Sequence, residues 1–376
     1  MLALKAPWLQ LEAGATGHTF FQSYGWCRHI MLELNSEDAI DPLAVTAWDA
    51  DQLVAIWPLR IARSAGARVV SSLGWPYDQS SGILALGDRD CDRLVKPMAQ
   101  VLRAADIADG MVMHKARKGS PICALTEVGA KIVDDGSSAP QVTIDTRLPF
   151  SAFLQGISSK TRKNIRNYEN RLSRLGTVEH RVLTGAEAQD AITSSFDARR
   201  DWLDAKAMSS SAFRDVHFAK IVQGLARRDR VNLDVIVFAL TLDRRFIAVQ
   251  WGFIHGGRYY AYLSARDPAY EAYSVGRIHL QHVLKECHAR NIGHVDLMVP
   301  AVPYKTTWSD RTDVMVDLVW PWTLRGNLVI DFFGRRIRPL LKTVAGQMPD
   351  SVRRTVYARL NSKRSANPDA QPPGPG

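Results

Sequence analysis

No two of the four cysteines, Cys27, Cys91, Cys123 and Cys287, stand close enough in the chain to form a CxxC pair. That absence argues against a local zinc or redox motif and against a disulfide scaffold, and it fits free thiols in a reducing compartment. Apolar runs are also short: no window approaches 18 residues without a charge, so no membrane-spanning helix is expected. The start, MLALKAPWLQLEAGATG, lacks a continuous apolar stretch behind a basic one, so no secretory signal is expected and the protein is placed in the cytoplasm. GxSxG and Walker loops are missing, as is any metal-ligand spacing. This turns the reading away from hydrolases and nucleotide triphosphatases, and no metal is expected.

The chain does have length, basic charge and tryptophan. Its 376 residues suit two domains and a tail. The net charge of +10 comes from two places. Lys160–Arg174 carries six basic residues against one acid, and Arg325–Arg364 carries ten against two. The rest of the chain balances to a small negative charge. Segments of this kind suit phosphates, an anionic membrane face or nucleic acid. The ten tryptophans form no recognisable stacking platform.

The pattern predicts a helix within His18–Leu34, a hairpin from Pro42–Trp48 and Leu53–Ile61, a third strand at Arg68–Leu73 and a helix at Asp90–Ala105. Strands follow at Met111–Lys115 and Gln141–Asp145. Ser158–Leu175 is a helix whose stripe is Ile157, Thr161, Ile165, Tyr168, Leu172 and Leu175, with the basic residues mostly off it. Two further helices are expected at Ala186–Trp202 and Ala212–Arg228. Asn232–Leu242, Phe246–His255 and Arg258–Ala265 form a meander joined by Asp243-Arg244-Arg245 and Gly256-Gly257. A helix at Ser274–Asn291 and strands at His294–Met298 and Asp313–Trp320 complete the pattern. Both halves run helix, meander, helix, strand, which is compatible with a degenerate duplication.

Three passages carry a resemblance: SSKTRKNIRNYENRLSRLG at Ser158–Gly176, ARDPAYEAYSVGRIHLQHVLKECHARNIGHVDL at Ala265–Leu297, and YKTTW at Tyr304–Trp308. They resemble the GNAT acyltransferases, in particular the CelD/BcsL branch of cellulose-biosynthesis-type acetyltransferases. That branch is related to the FemAB aminoacyl transferases, which place two GNAT-like units in one chain. The resemblance implies an α/β fold of mixed α+β type with tandem GNAT-like domains, each a central mixed sheet flanked by helices. The expected units are a degenerate one over residues 1–147, an acyltransferase domain over 148–322, a basic helical extension over 323–362 and a disordered tail over 363–376.

The resemblance also implies the site. Acetyl-CoA or another acyl-CoA would lay its pyrophosphate on Tyr273, Ser274, Val275, Gly276 and Arg277 at a helix N-terminus, where unpaired amides favour an anion. Backbone amides at Ser264, Ala265 and Arg266 would hold the oxyanion. Tyr304 would protonate the leaving thiolate, and Asp296 and His279 are the base candidates. Lys305 would neutralise phosphate or hold an acceptor carboxylate, and Lys160, Arg162, Lys163 and Arg166 would hold an anionic acceptor. Each has a structural alternative: Asp296 as a strand-end hydrogen-bonder, His279 as a helix-face residue, Tyr304 as a packed aromatic, the basic helix as a solvated face. Gly276 stands alone where such loops are richer in glycine, which leaves room for another acyl or aminoacyl donor.

The acceptor class is a sugar, a lipid-linked saccharide or an amino compound of envelope polysaccharide synthesis, met in solution or at the inner face of the membrane. Two alternatives stay open. One is a FemAB-like aminoacyl-tRNA-dependent transferase, with RNA phosphates on the basic segments. The other is a non-catalytic GNAT-fold accessory protein of a membrane polysaccharide-synthesis complex.

Overall fold

The computed structural model describes residues 1–15, 19–34, 40–206, 208, 210, 212, 213, 215, 217–227 and 232–331. The tail expected over 363–376, and all of the basic extension beyond residue 331, lie outside them. Among the described residues no helix is long and apolar enough to cross a membrane.

The first unit opens with α1 (Lys5–Gly14) and α2 (Tyr24–Glu33), followed by the meander β1 (Ile40–Asp49), β2 (Gln52–Ser64) and β3 (Ala67–Ser72). Next come β4 (Leu84–Ala85), α3 (Asp88–Ala104), β5 (Gly110–Arg117), β6 (Lys131–Val133) and β7 (Ser138–Thr143). The second unit opens with α4 (Phe150–Gln155), α5 (Ser159–Leu172), β8 (Val178–Leu183), α6 (Gly185–Ala205) and α7 (Phe218–Ala226). It continues with β9 (Asp234–Leu242), β10 (Arg245–His255), β11 (Arg258–Arg266), α8 (Val275–Ala289) and β12 (His294–Asp296). Last are α9 (Pro303–Thr306), β13 (Arg311–Pro321) and α10 (Leu324–Gly326).

Local chemistry explains the elements that matter most for the site. Asp243 and Arg244 between β9 and β10, and Gly256 and Gly257 between β10 and β11, have positive φ, as tight hairpin turns between twisted strands require. Ser158 caps α5, its hydroxyl accepting from the Thr161 amide at 3.2 Å. Ile165 and Leu172 of that helix are buried while Lys160, Lys163 and Arg166 are exposed, but the expected stripe stops short: the helix ends at Leu172, and Leu175, past its end, is 48% exposed. β9 and β10 are buried along nearly their whole length because helices cover both faces of the sheet. α1, by contrast, is not announced by any pattern in the sequence: only Trp8 and Leu11 of its ten residues are buried, too few to make a stripe.

The strands form one mixed sheet in the order β1-β2-β3-β5-β13-β7-β12-β11-β10-β9-β8, with β4 paired to β2 and β6 to β13. Each half repeats one device: the last strand of the meander pairs in parallel with the strand after the next helix, β3 with β5 and β11 with β12. The halves also exchange strands. β7, contributed before residue 147, pairs with β12, while β13 returns from the second half to pair with β5. The units are therefore stitched through the centre of the sheet.

An aromatic core reinforces that stitch. Phe20 of the first unit stacks on Phe253 of β10 with ring centroids 3.9 Å apart, and Trp26 packs edge-on to Phe253 and Tyr262. Trp251 is fully buried and its indole donates to Ser195 Oγ at 3.0 Å. Gly252 lies where β10 bulges against β11, and a Cβ there would overlap the Tyr260 carbonyl oxygen. Gly252→Ala is expected to cost about 2–3 kcal/mol, because rigid backbone must move apart to admit the methyl group. A urea midpoint equal to wild type would show that the two strands yield freely.

Candidate acyl-transfer site

The site begins where two strands part. β11 pairs with β12 only through Arg258–Tyr260 and His294–Asp296. Beyond Tyr260, Ala261–Arg266 keeps β10 as a partner on one side and, among the described residues, has no strand on the other. Alternate amides and carbonyls of that edge are left to a ligand or water. Across the gap, Met298 takes a φ of +59° and the chain turns away towards α9. At the top, Ser274 takes a φ of +49° and swings the chain from the Pro268–Tyr273 turn into α8.

A cavity of about 710 Å³ fills this wedge and runs to the loop Pro76–Gln79 of the first unit. Of the residues expected at the site, Ser264, Ala265 and Arg266 line it from β11, Gly276 and Arg277 from α8, and Tyr304 and Lys305 from α9. Gly276 leaves open space beside Arg266: a Cβ there would come no nearer than 3.4 Å to the Arg266 guanidinium. Arg266 and Arg277 thus both line the cavity at the start of α8, where Gly276 leaves room between strand and helix.

Other expected residues are not brought to the cavity. Val275 is buried in the core of the second unit, and Tyr273 lies under the Arg171 guanidinium at 5.3 Å. Ser274 serves as the left-handed hinge. Lys160, Arg162, Lys163 and Arg166 sit on α5, which packs against the Pro268–Tyr273 turn and α8 rather than facing the wedge. Asp296 is 3% exposed and tied to the Arg117 guanidinium at 3.2 Å and to the Met298 amide at 2.9 Å. Arg117 also reaches Asp313 at 3.0 Å, so Asp296 takes part in the bond between units. His279 is buried too. Burial, with His180 and His282 beside it, pushes its pKa down to about 3. His279 does not line the cavity.

The structure adds residues that no sequence pattern singles out. Arg199 and Trp202 of α6 line the cavity, with the guanidinium 4.4 Å from the indole centroid. Burial lowers the Arg199 pKa, opposed by Tyr304 and reinforced by Arg266. Lys115 enters from the first unit with a φ of +55°; its pKa is lowered by burial, and its ammonium lies 5.6 Å from the Trp75 ring. Gln79 donates to the Tyr262 carbonyl at 3.3 Å and the Tyr262 hydroxyl donates to the Tyr77 carbonyl at 3.0 Å, fixing the first-unit loop as a wall.

Lys305 has the most unusual setting. Its Nζ donates to the Leu297 carbonyl at 2.7 Å and the Met298 carbonyl at 3.2 Å. Burial and the Arg199 charge push its pKa down to about 8, against the pull of Asp296. A neutral amine has two N–H donors for those two carbonyls and one lone pair left over, which is what a base needs. Lys115, Arg199, Arg266, Arg277 and Lys305 all line the cavity, and none of the described lining residues is acidic. Such a site recruits anions.

Comparison with known proteins bears on the class. Residues 159–306 match the family described as "Acetyltransferase (GNAT) domain". The solved structure of FemX is similar in fold, with a TM-score of 0.60 at 8% identity, over 85% of this chain and 96% of that one. A conserved protein of unknown function from Bacteroides thetaiotaomicron VPI-5482 follows at a TM-score of 0.52 and 10% identity, over 85% and 97%. No curated protein matches the sequence. The chain thus has a GNAT fold, a mixed sheet flanked by helices, and it is an acyltransferase.

Proposed function

We propose that the protein transfers an acyl group, acetyl in the first instance, from a coenzyme A thioester to an amine or hydroxyl of an anionic acceptor. The acceptor class is the sugars and lipid-linked saccharides of envelope polysaccharide synthesis, as the resemblance to CelD/BcsL proteins implies. The observation that carries the reading is the wedge itself: an unpaired strand edge, a helix start with two arginines, and five cations without an acid among the described lining residues. The donor diphosphate lies on Gly276, Arg277 and Arg266, and its pantetheine arm follows the open edge of β11. The apolar side of the cavity, with Trp202, Leu203 and Phe213, takes uncharged parts of donor or acceptor.

The acceptor nitrogen or oxygen attacks the thioester carbon, and the carbonyl oxygen takes the charge against amides at Ser264–Arg266. The carbon–sulfur bond then breaks. Lys305 takes the proton released by the acceptor, and Tyr304 gives its phenolic proton to the departing thiolate. Solvent exchange returns the proton from Lys305 to Tyr304. Arg199 and Lys115 hold the acceptor's negative charge.

A pH profile follows. Lys305 acts as the free amine, so turnover is expected to rise with pH through about 8 and then level off. Lys305→Met is expected to remove that rise and to lower turnover at pH 8.5 by roughly 10²-fold. The same ascending limb in wild type and variant would assign the base to another group.

A second reading is favoured by one observation, the fold likeness to FemX along nearly the whole of that chain. By the sequence resemblance to FemAB proteins, the donor would then be an aminoacyl-tRNA, with Lys160, Lys163 and Arg166 exposed on α5 for RNA phosphates. A melting-temperature panel of acyl-CoAs separates the two readings, since a ligand that binds only the folded state raises the midpoint. Stabilisation by acyl-CoA supports the first reading. Stabilisation by aminoacyl-tRNA alone, weakening steeply with salt, overturns it in favour of the second.

A further inference from the structure

Outside the wedge, three side chains from three elements converge beside α8. Glu169 of α5 places its Oε1 3.1 Å from His282 Nε2 of α8 and 3.6 Å from His180 Nε2 of β8. The candidate ligand atoms of the three residues all lie within 4.8 Å of one another. The two imidazoles stack with centroids 3.1 Å apart and planes within 14°. That is closer than the roughly 4.5–7 Å of ordinary aromatic pairs. His180 makes no hydrogen bond at Nδ1. His279, one turn before His282 on α8, is 4% exposed and lies beside both rings.

We propose that Glu169, His180 and His282 form a binding site for one divalent transition-metal ion of the zinc type, clamping α5 and β8 to α8. Two imidazole nitrogens and one carboxylate oxygen are the donor set that zinc, cobalt and nickel prefer over magnesium or calcium. A tetrahedral site with bonds of about 2.0–2.1 Å needs ligand atoms about 3.3 Å apart. The two carboxylate-to-imidazole spacings fall on either side of that value. The three side chains are 20–32% exposed, so an ion can enter from solvent and keep a water as fourth ligand. Lys285 is the cation that faces His180 and opposes the ion.

None of the three residues lines the wedge, so the ion is structural. It ties the basic helix to the helix whose first turn carries Gly276 and Arg277. Nothing local in the sequence announces it, because residues 169, 180 and 282 have no ligand spacing and meet only through the fold.

The test uses the full-length protein stripped with a chelator and titrated with zinc, cobalt or magnesium. One zinc or cobalt per chain is expected, with visible cobalt absorption of tetrahedral character and a midpoint raised by about 3–6 °C at a hundredfold excess over Kd. Magnesium should do nothing. Glu169→Gln and His282→Gln are each expected to weaken zinc at least tenfold, and Lys285→Gln to tighten it. Glu169 is a third exposed and its substitution is isosteric, so that variant reports on the ion even where a histidine variant folds poorly. Binding without one-to-one stoichiometry, equal response to magnesium, or unchanged zinc affinity in Glu169→Gln would each overturn the proposal.

Discussion

Tyr304→Phe is expected to lower kcat by about 10²–10³-fold while leaving donor affinity within a few-fold of wild type. The hydroxyl is the one proton donor that the short helix α9 presents to the wedge beside Lys305. The ring stands 6.0 Å from the Arg266 guanidinium, and Arg199 also faces it. Phenylalanine keeps the ring in place and removes only the proton. A pre-steady-state burst assay reads the effect at the chemical step. Turnover equal to wild type would take Tyr304 out of the mechanism and make it a wall residue.

Removing both donor-end arginines, Arg266→Ala with Arg277→Ala, is expected to raise the Kd for coenzyme A by about 10²–10⁴-fold. Each charge-assisted contact to phosphate contributes about 1.5–3 kcal/mol, and the two guanidinium groups flank the same helix start. The matching change on α5, Lys160→Ala with Lys163→Ala and Arg166→Ala, is expected to leave that Kd within about twofold. Calorimetry of coenzyme A binding decides between the two basic clusters. Loss of affinity in the α5 variant alone would move the donor to the exposed helix.

The sequence is most legible where the structure is local. The meander at β9–β11 is marked by turn residues that tolerate positive φ, and α5 by a cap and an apolar stripe. The start of α8 is legible for the same reason: Gly276 and Arg277 follow a Pro/Tyr turn and open the helix. His279 shows how the pattern misleads. It stands in the helix after the meander, where a base is plausible, yet Val275, His279, Val283 and Cys287 are four apart and form a buried face of α8. That spacing already places it inside.

Asp296 misleads for another reason. Its partner Arg117 lies 179 residues earlier in the chain, and nothing local announces the ion pair. The same separation hides the strand exchange of β7 and β13 and the meeting of Lys115, Arg199 and Lys305 in one cavity. Those contacts are set by how the halves pair through the sheet, and composition and periodicity carry no record of that.

The proposed function puts the donor on the open edge of β11 and the start of α8, and everything else in that proposal depends on it. Amide hydrogen exchange with and without coenzyme A measures it directly. Slowed exchange is expected to concentrate at Ala261–Arg266 and Gly276–Ile278, with Ser159–Leu172 unchanged. Protection on α5 with none at the wedge, or no protection anywhere at saturating coenzyme A, would contradict it.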